Sequence, residues 1–428
     1  MWPPSAVAIN ALTCSSRCAQ ASKAWNRWIY SIPDFFQTMI VRRRMIPSKT
    51  FMAFLNHSKN TGYKLRHVEV LISENFERQN QLYQHFTKYA EIESMKFTIM
   101  TPYFKAERYA PITLKKLVVT GSTSLCLSQV MMTLNHFTNL VHGEFKNIVS
   151  NLERFGQMQK YLVSLPQLRT LYLEAAQSPE RRHLEVAATF LDRLVSITPN
   201  ITKAVITGFH VVTHAGYTRQ ADFQPWTKLE HLDLSRTELR TTPKFPTSVL
   251  HLNLSHIHSL PVELLLNVRR RVSLGMIATE DSGLHFPELQ YLNLESSNYA
   301  ILANTLTNAP LTNGTLYTLN LADTSHFQTQ HDPFAQNWPT SMPLPSNNLT
   351  HLSLRALGFL PESTILDCVR MYPNLEWLDV GATKATGTFL RELWERENPP
   401  KWVGVKGCAQ MGEDAKKMAE EKGIKIER

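Results

Sequence analysis

The chain has 428 residues, of which 43% are hydrophobic; this proportion excludes an intrinsically disordered polymer and allows a large buried core. Its net charge of +9, from 45 Lys and Arg against 36 Asp and Glu, permits an acidic partner without requiring one. No apolar run reaches the ~18 residues of a membrane span, and five cysteines over this length are typical of a reducing compartment. The sequence therefore predicts a nuclear or cytoplasmic protein with no membrane partner.

The first element in chain order is a segment rich in aromatic residues, "SKAWNRWIYSIPDFF" at residues 22–36. Trp25 and Trp28 are three residues apart, which places both indoles on one flank of a predicted helix. Pro33 ends that helix, because the residue before a proline is disfavoured in the helical region. We expect this aromatic flank to dock either on a partner or on the first element that follows it.

Three further features of the chain have simple explanations. Cys14 and Cys18 are four residues apart but are followed by no second Cys or His pair at zinc-finger spacing, so they are predicted to be small apolar residues of a packed helix. Two arginine triplets, at residues 42–44 and 269–271, are typical of a solvated face; binding to nucleic acid is the alternative. A literal "LPVEL" at residues 260–264 is predicted to belong to a repeat helix.

One pattern recurs along the chain: an apolar residue, two variable residues, an apolar residue, one variable residue and an apolar residue. "LEHLDL" from Leu229 and "LQYLNL" from Leu289 are clear examples. Eleven copies begin at Leu65, Ile92, Leu114, Leu168, Ile201, Leu229, Val249, Leu289, Leu316, Leu349 and Leu375.

The spacing of these copies is typical of leucine-rich repeats. Leu316 follows Leu289 by 27 residues and Leu375 follows Leu349 by 26, within the ~20–29 residue period of that class. The longer interval between Leu114 and Leu168 predicts a degenerate unit near residues 137–142. The sequence thus predicts an α/β leucine-rich-repeat solenoid, a horseshoe with a parallel concave sheet, closed on its outer face by helices such as those at 190–197 and 361–373.

A small polar residue is expected five positions after the second apolar residue of each copy, where it satisfies buried backbone groups as the strand bends away. The residues at this position are Thr237, Ser297, Thr324 and Thr383, with Ile257 and Leu357 as exceptions.

Two columns of side chains are predicted to face outward from the strands, because strand residues alternate between the two faces of a sheet. The first column contains His231, His251, Tyr291, Thr318, His351 and Trp377. The second column contains Asp233, Asn253, Asn293, Asn320, Ser353 and Asp379.

The two columns support different interpretations. For the second column we expect mainly a structural role, as a ladder between neighbouring strands. The first column has two possible explanations. Strands generally favour aromatic and β-branched residues, or the aromatic side chains bind a partner, since such side chains concentrate binding energy at protein interfaces. The predicted substrate-binding residues are His231, His251, Tyr291, His351, Trp377, Asp233 and Asp379.

No arrangement of residues indicates an enzyme or a cofactor. The chain lacks a phosphate-binding Gly-rich loop with a following Lys, a G-x-S-x-G elbow and an H-E-x-x-H pair. "HGE" at residues 142–144 resembles the H-x-E of zinc deaminases but is followed by no P-C-x-x-C. We therefore predict a non-enzymatic protein with no cofactor and no metal.

The aromatic segment resembles the second half of an F-box, whose closing helices carry a "SKxW…W" pattern. F-box followed by leucine-rich repeats is the order found in substrate receptors of SCF cullin-RING ubiquitin ligases. The segment that follows residue 30 and the C-terminal "GVKGCAQMGEDAKKMAEEKGIKIE" are similar to the replication-associated fungal members of that family. The L-P-x-E-[LI] helix that opens an F-box does not fit before Trp28, so we expect either an N-terminally truncated form or a lost adaptor contact.

The resemblance implies a function and a set of partners. The chain would bind a protein substrate, such as a replication or chromatin factor, and a Skp-type adaptor with its cullin through Trp25, Trp28, Ile32 and Phe35. It implies three regions: 1–47, a partial F-box-like helical segment and bridge; 48–406, irregular leucine-rich repeats; and 407–428, a capping helix and strand. The alternatives are a free-standing leucine-rich-repeat scaffold, in which the aromatic segment caps the solenoid, and a chromatin-associated protein.

Overall fold

The computed structural model describes residues 38–41, 65–72, 91–99, 108, 110–149, 163–176, 184–212, 221–239, 243–257, 288–297, 315–323 and 347–428. The chain divides into two compact units. Unit 1 comprises Met1–Leu184 and Ser196–Ile201, and unit 2 comprises Glu185–Val195 and Thr202–Arg428.

Unit 1 contains a parallel sheet in which each strand pairs with the next one in the chain. Its strands are β1 (Thr38–Val41), β2 (His67–Ile72), β3 (Ser94–Ile99), β4 (Lys116–Cys126), β5 (His142–Val149) and β6 (Thr170–Ala175). Sequential parallel pairing requires a return segment between strands. Helix α1 (Leu127–His136) forms one such return, between β4 and β5.

Unit 2 contains a second run of parallel strands, also paired with their neighbours in the chain. The main strands are β8 (Lys203–Thr207), β10 (His231–Asp233), β12 (His251–Asn253), β13 (Tyr291–Asn293), β14 (Thr318–Asn320), β15 (His351–Ser353), β16 (Trp377–Asp379), β17 (Trp402–Gly404) and β18 (Lys425–Glu427). A small second sheet has the order β11 (Glu238–Leu239), β9 (Phe209–Val212), β7 (Leu184–Ala187).

The described helices lie in the return segments. They are α2 (Ala188–Ile197), α3 (Glu362–Arg370), α4 (Gly387–Trp394) and α5 (Glu413–Glu421). Helix α4 begins at Thr386, whose hydroxyl accepts from the Thr388 N–H at 3.1 Å, a standard N-cap. Helices α2 and α3 fall where the sequence predicted helical returns.

The leucine pattern explains why these strands form and stack. Each of the eleven predicted copies contains a strand, β2, β3, β4, β6, β8, β10, β12, β13, β14, β15 or β16. Their apolar positions are buried; Leu352, Leu354 and Leu378 are each 0% exposed. Burial of one such side chain contributes roughly 1.5–3 kcal/mol. The prediction of a leucine-rich-repeat solenoid with parallel strands is confirmed.

Two strands were not predicted from the sequence pattern, because a glycine or a proline replaces one of the apolar residues of the repeat. Strand β5 lies in the interval where a degenerate unit was expected, and Gly143 stands where the second leucine belongs. An added Cβ there would approach the side chains of Leu140 and Phe145 to 3.3 Å, so those two residues fill the missing volume. In β17 the first apolar position is Pro400, which is buried.

A left-handed residue follows each described strand of unit 2 from β10 to β17, five positions after the first strand residue. These residues are Arg236, His256, Ser296, Asp323, Ala356, Ala382 and Gly407. The turn aims their N–H groups at the next repeat: Ala356 donates to Gly381 O and Ala382 to Lys406 O, each at 2.7 Å. The ladder of backbone hydrogen bonds therefore continues past the end of the sheet.

The small polar position that follows each turn has the predicted role. The Thr237 hydroxyl donates to Ile206 O at 2.9 Å, the Thr383 hydroxyl to Val380 O at 2.7 Å, and Ser297 to Leu254 O. Cys408 occupies the same position and its thiol donates to Val380 O at 3.1 Å. Thr324 lies outside the described residues.

Candidate protein-binding surface

The first outward column of unit 2 forms a continuous row across seven strands, from β10 to β17. Backbone pairing places each member directly beside the next. We call this row the ring column; it contains His231, His251, Tyr291, Thr318, His351, Trp377 and Trp402. Six of the seven residues carry a ring, so the sheet presents a nearly unbroken line of flat side chains.

The rings of the ring column stack on one another in two groups. His231 and His251 have centroids 4.2 Å apart with planes 16° from parallel, and His251 and Tyr291 are 5.9 Å apart. His351 and Trp377 are 6.2 Å apart, and Trp377 and Trp402 are 4.4 Å apart with planes only 5° from parallel. Strand spacing of ~4.8 Å sets this stacking distance, so the main sheet itself orients the rings.

The ring column remains accessible to solvent. His351 is exposed and the other members are half-buried. Tyr317, which precedes Thr318, is 47% exposed. Exposed rings held in fixed orientations lose little side-chain entropy on binding, which favours high affinity per unit of buried area.

The second outward column has a local structural role rather than the predicted ladder between strands. The side-chain oxygen of Asp233 accepts from the Ser235 N–H at 2.8 Å, and that of Asp379 accepts from the Gly381 N–H at 2.9 Å. Asn253, Asn293 and Asn320 make the same bond to the residue two positions ahead. A short Asp or Asn side chain reaches its own turn more easily than a neighbour's, which explains the difference.

Carboxylates on this surface create a negative field. Burial raises the pKa of Asp379, and the charges of Glu427 and Glu295 raise it further against the opposing effect of Arg355. The pKa of the Tyr291 hydroxyl is raised by burial and then by Asp233 and Glu295. Glu295 thus raises the pKa of both groups, in addition to the larger effect of burial.

The stacked histidines of the ring column favour the neutral form. Burial lowers the pKa of His231, and the neighbouring His251 and Lys203 lower it further. Burial also lowers the pKa of His251, and Lys203 acts in the same direction while Glu230 opposes it. Two imidazoles stacked 4.2 Å apart cannot both be protonated at low cost.

Unit 1 presents a different outward face, built from paired charges. Lys96 lies 3.0 Å from Glu69 on the neighbouring strand, and Lys146 lies 2.6 Å from Glu144 on its own strand. Lys146 and His142 lower the pKa of Glu144 against the effect of its burial. His142 and Glu144 are thus neighbours on the face of β5, which explains the "HGE" motif as a surface pair.

Trp402 was missed by the sequence analysis, although it completes the strongest stack of the surface. Pro400 replaces the leucine that would have marked its repeat. A signal was nonetheless present, since Pro400 follows Leu375 by 25 residues, close to the 26 residues between Leu349 and Leu375.

Several predicted features lie outside the described residues. They include the adaptor-binding residues Trp25, Trp28, Ile32 and Phe35, the pair Cys14 and Cys18, both arginine triplets and the "LPVEL" segment. The seven predicted substrate-binding residues all fall within the described part of the chain. The structure brings His231, His251, Tyr291, His351 and Trp377 into one row, with Asp233 and Asp379 in the row beside it.

Two general properties hold for the described residues. They contain no group of three or more His, Cys, Asp or Glu side chains arranged to hold a metal ion. Within the same ranges, no helix has the length and apolar character needed to span a membrane.

The parallel strands, the buried leucines and the recurring turn define a leucine-rich-repeat protein. No protein-family model matches the chain. No curated protein matches it either.

Solved structures of leucine-rich-repeat type have low similarity to this chain. A TLR13 chain in complex with ssRNA13 is 13% identical, with 88% of this chain and 62% of that chain covered and a TM-score of 0.45. A chain of the Rad7 and Elc1 complex in yeast is 13% identical, with 97% of this chain and 96% of that chain covered and a TM-score of 0.41. An internalin from Listeria monocytogenes is 14% identical over 81% of both chains, with a TM-score of 0.37. The chain therefore spans 62% of the length of the TLR13 chain, and the fold assignment rests on the register and burial described above.

Proposed function

We propose that this protein is the substrate-recognition subunit of an SCF-type cullin-RING ubiquitin ligase and binds its protein substrate through the ring column. The observation that carries the proposal is the row of six stacked, solvent-accessible rings on the strands of unit 2. Tryptophan and tyrosine dominate the energetics of protein interfaces, and Trp377, Trp402 and Tyr291 supply three such anchors on a rigid sheet.

The charge of this surface favours a protein partner over a nucleic acid. Asp233, Glu295, Asp379 and Glu427 lie on or beside the second outward column. Nucleic acid binding depends on Lys and Arg side chains that neutralise the phosphates. The carboxylates of this surface would instead repel the phosphates. A protein with apolar and basic side chains is the better match.

The ligase part of the proposal comes from the sequence of the N-terminal segment. Trp25, Trp28, Ile32 and Phe35 would contact a Skp-type adaptor and, through it, the cullin. The chain would perform no bond chemistry. Its contribution is to hold a substrate lysine close to the ligase's catalytic subunits, which raises the effective concentration of the reacting groups.

A reconstituted reaction tests the ligase part. Purified full-length chain is mixed with a Skp-type adaptor and cullin, and complex formation is measured for wild type and for the Trp25→Ala/Trp28→Ala variant. We expect a complex with wild type that the double variant loses. If wild type forms no complex while a form carrying a complete F-box at its N-terminus does, residues 1–428 do not recruit the adaptor and the ligase proposal is wrong for this chain.

The substrate part needs a separate readout. A protein that co-purifies with the chain is the substrate only if its retention and its ubiquitination in the reconstituted reaction both require Trp377 and Tyr291. Tyr172→Ala on β6 is the matched control, because it removes an outward-facing ring from unit 1. Equal ubiquitination with wild type and the Trp377→Ala/Tyr291→Ala variant would contradict the role of the ring column.

A further inference from the structure

The ring column is interrupted at one position, Thr318. Strand pairing places Tyr291, Thr318 and His351 side by side on β13, β14 and β15. Stacked rings continue on both sides, towards His251 in one direction and Trp377 in the other. Thr318 is the only member of the ring column without a ring, so its strand forms a notch between two stacks.

The width of the notch matches one flat chemical group. Adjacent strands are ~4.8 Å apart, so the side chains of Tyr291 and His351 leave the sheet about 10 Å from each other. A planar group placed midway would lie about 5 Å from each ring, within the 4.5–7 Å range of favourable ring contacts. Thr318, whose side chain is half-buried, forms the floor of the notch.

The charge beside the notch selects among flat groups. Glu295 accepts a hydrogen bond from Asn320 Nδ2 at 3.2 Å, and Asn320 lies two residues from Thr318 on the same face of β14. This carboxylate therefore lies at the C-terminal end of β14, two residues along the strand from Thr318, and Arg355 lies in the turn that follows β15. The negative field at the Tyr291 hydroxyl comes from Asp233 and Glu295. A planar cation fits both the stacking and the charge.

We propose that the notch over Thr318 receives an arginine side chain of the protein partner, with its guanidinium stacked between Tyr291 and His351 and its N–H groups directed at Glu295. Arginine is planar and stacks on aromatic faces, whereas lysine is a compact, strongly hydrated charge. A neutral aromatic side chain would gain the stacking alone. The proposal rests on protein binding by the ring column and specifies its central contact.

Peptide selection tests the proposal without knowledge of the natural partner. A random nine-residue peptide library displayed on phage is selected against the wild-type chain, and the recovered peptides are synthesised with Arg, Lys, Tyr or Ala at each arginine position. We expect an arginine-dependent peptide whose affinity falls about tenfold on Arg→Lys substitution. The same substitution to Tyr should also weaken binding.

Three variants of the chain locate the contact. Thr318→Tyr fills the notch with a ring of the chain itself and should lower the peptide's affinity at least about thirtyfold while keeping or raising the thermal midpoint. Tyr172→Ala, which removes an outward-facing ring from β6 of unit 1, should bind as wild type. Glu295→Gln should weaken binding about threefold, the scale of a solvent-exposed charge pair.

The outcomes separate the notch from the surface as a whole. Binding of the selected peptides to Thr318→Tyr at wild-type affinity, with loss on Trp377→Ala, would overturn the notch and leave the ring column as the binding surface. Peptides that bind Trp377→Ala and wild type equally would contradict the ring column as well. Selection that yields no arginine-dependent binder, or that yields a tyrosine-dependent one, would also overturn the proposal.

Discussion

The turn after each main strand of unit 2 from β10 to β17 depends on a single residue in the left-handed region of backbone conformation. Six of the seven described residues at this position carry a side chain, and only Gly407, with φ +81°, does not. Left-handed conformations cost non-glycine residues roughly 1–2 kcal/mol. This cost is offset by a backbone hydrogen bond to the next repeat, such as the one that the Ala382 N–H donates to the carbonyl oxygen of Lys406.

Gly407→Ala should lower the free energy of unfolding by about 1 kcal/mol, since the added Cβ makes the left-handed backbone less favourable. Chemical denaturation monitored by circular dichroism measures the change. The control is Gly358→Ala, whose Cβ would meet Ala382 O at an ordinary 3.6 Å and should change stability by less than about 0.5 kcal/mol. Equal destabilisation by the two substitutions would show that conformation is not the cause.

Part of the candidate site could be predicted from the sequence and part could not. Outward positions of strands follow from alternation alone, so the ring column was predicted from His231 to Trp377. Trp402 was missed because Pro400 hides its repeat. The role of the second column was predicted wrongly, because the hydrogen bond that the Asp379 carboxylate accepts from the Gly381 N–H in its own turn depends on local backbone geometry. The pattern of residue types does not encode that geometry.

At the scale of elements, each short strand is stabilised by the leucines that it buries. Strand β15 has only three residues, yet Leu352 within it and Leu354 directly after it are 0% exposed. In a repeat protein such an element contacts only its neighbours, and its loss exposes their apolar edges as well. The stability of unit 2 therefore depends on every copy of the pattern.

Leu352→Ala should destabilise the protein by about 2–5 kcal/mol, because it removes buried methyl groups and leaves a cavity. Thermal unfolding and denaturant titration measure this loss. Lys406→Ala, at an exposed position of the neighbouring turns, is the control and should cost less than about 0.5 kcal/mol. A loss below about 1 kcal/mol for Leu352→Ala would contradict the packing described for β15.

The stack of His231 and His251 should make stability depend on pH. Burial, mutual proximity and Lys203 lower the pKa of His231 in the folded state, with Glu230 as the opposing charge. The unfolded chain therefore binds more protons, so this contribution is complete above the unfolded pKa of about 6.5 and is lost as pH falls through the lower folded values. The thermal midpoint of wild type should decrease from pH 7.5 to pH 5.5.

The His231→Gln/His251→Gln variant should show a smaller decrease over the same range. The raised pKa of Asp379 stabilises the folded state as pH falls, and this effect is common to the two proteins because both contain Asp379. Parallel midpoint curves for wild type and the double variant would contradict coupling between the stacked histidines and folding.

At the scale of the whole molecule, periodicity predicted the class of fold from the sequence. Eleven copies of one pattern were sufficient to place eleven strands, since each copy is a unit that must stack to bury its leucines. The side sheet of β7, β9 and β11 was not predicted, because its strands follow the main strands without a pattern of their own. The outward face of unit 1 carries paired charges and that of unit 2 carries rings. Once the strand register is known, the residue types at the outward positions explain this difference.

The affinity of a substrate protein for the Trp377→Ala/Tyr291→Ala variant tests the central claim most directly. The substrate is one isolated with the wild-type chain, and affinities are measured by interferometry alongside the thermal midpoint of each variant. Two interface anchors of this type are worth at least about 1.4 kcal/mol each, a factor of about ten apiece, so we predict a loss of at least about 100-fold with a folded variant, and wild-type affinity for Tyr172→Ala. Undiminished affinity of the folded double variant would contradict the assignment of the ring column as the protein-binding surface.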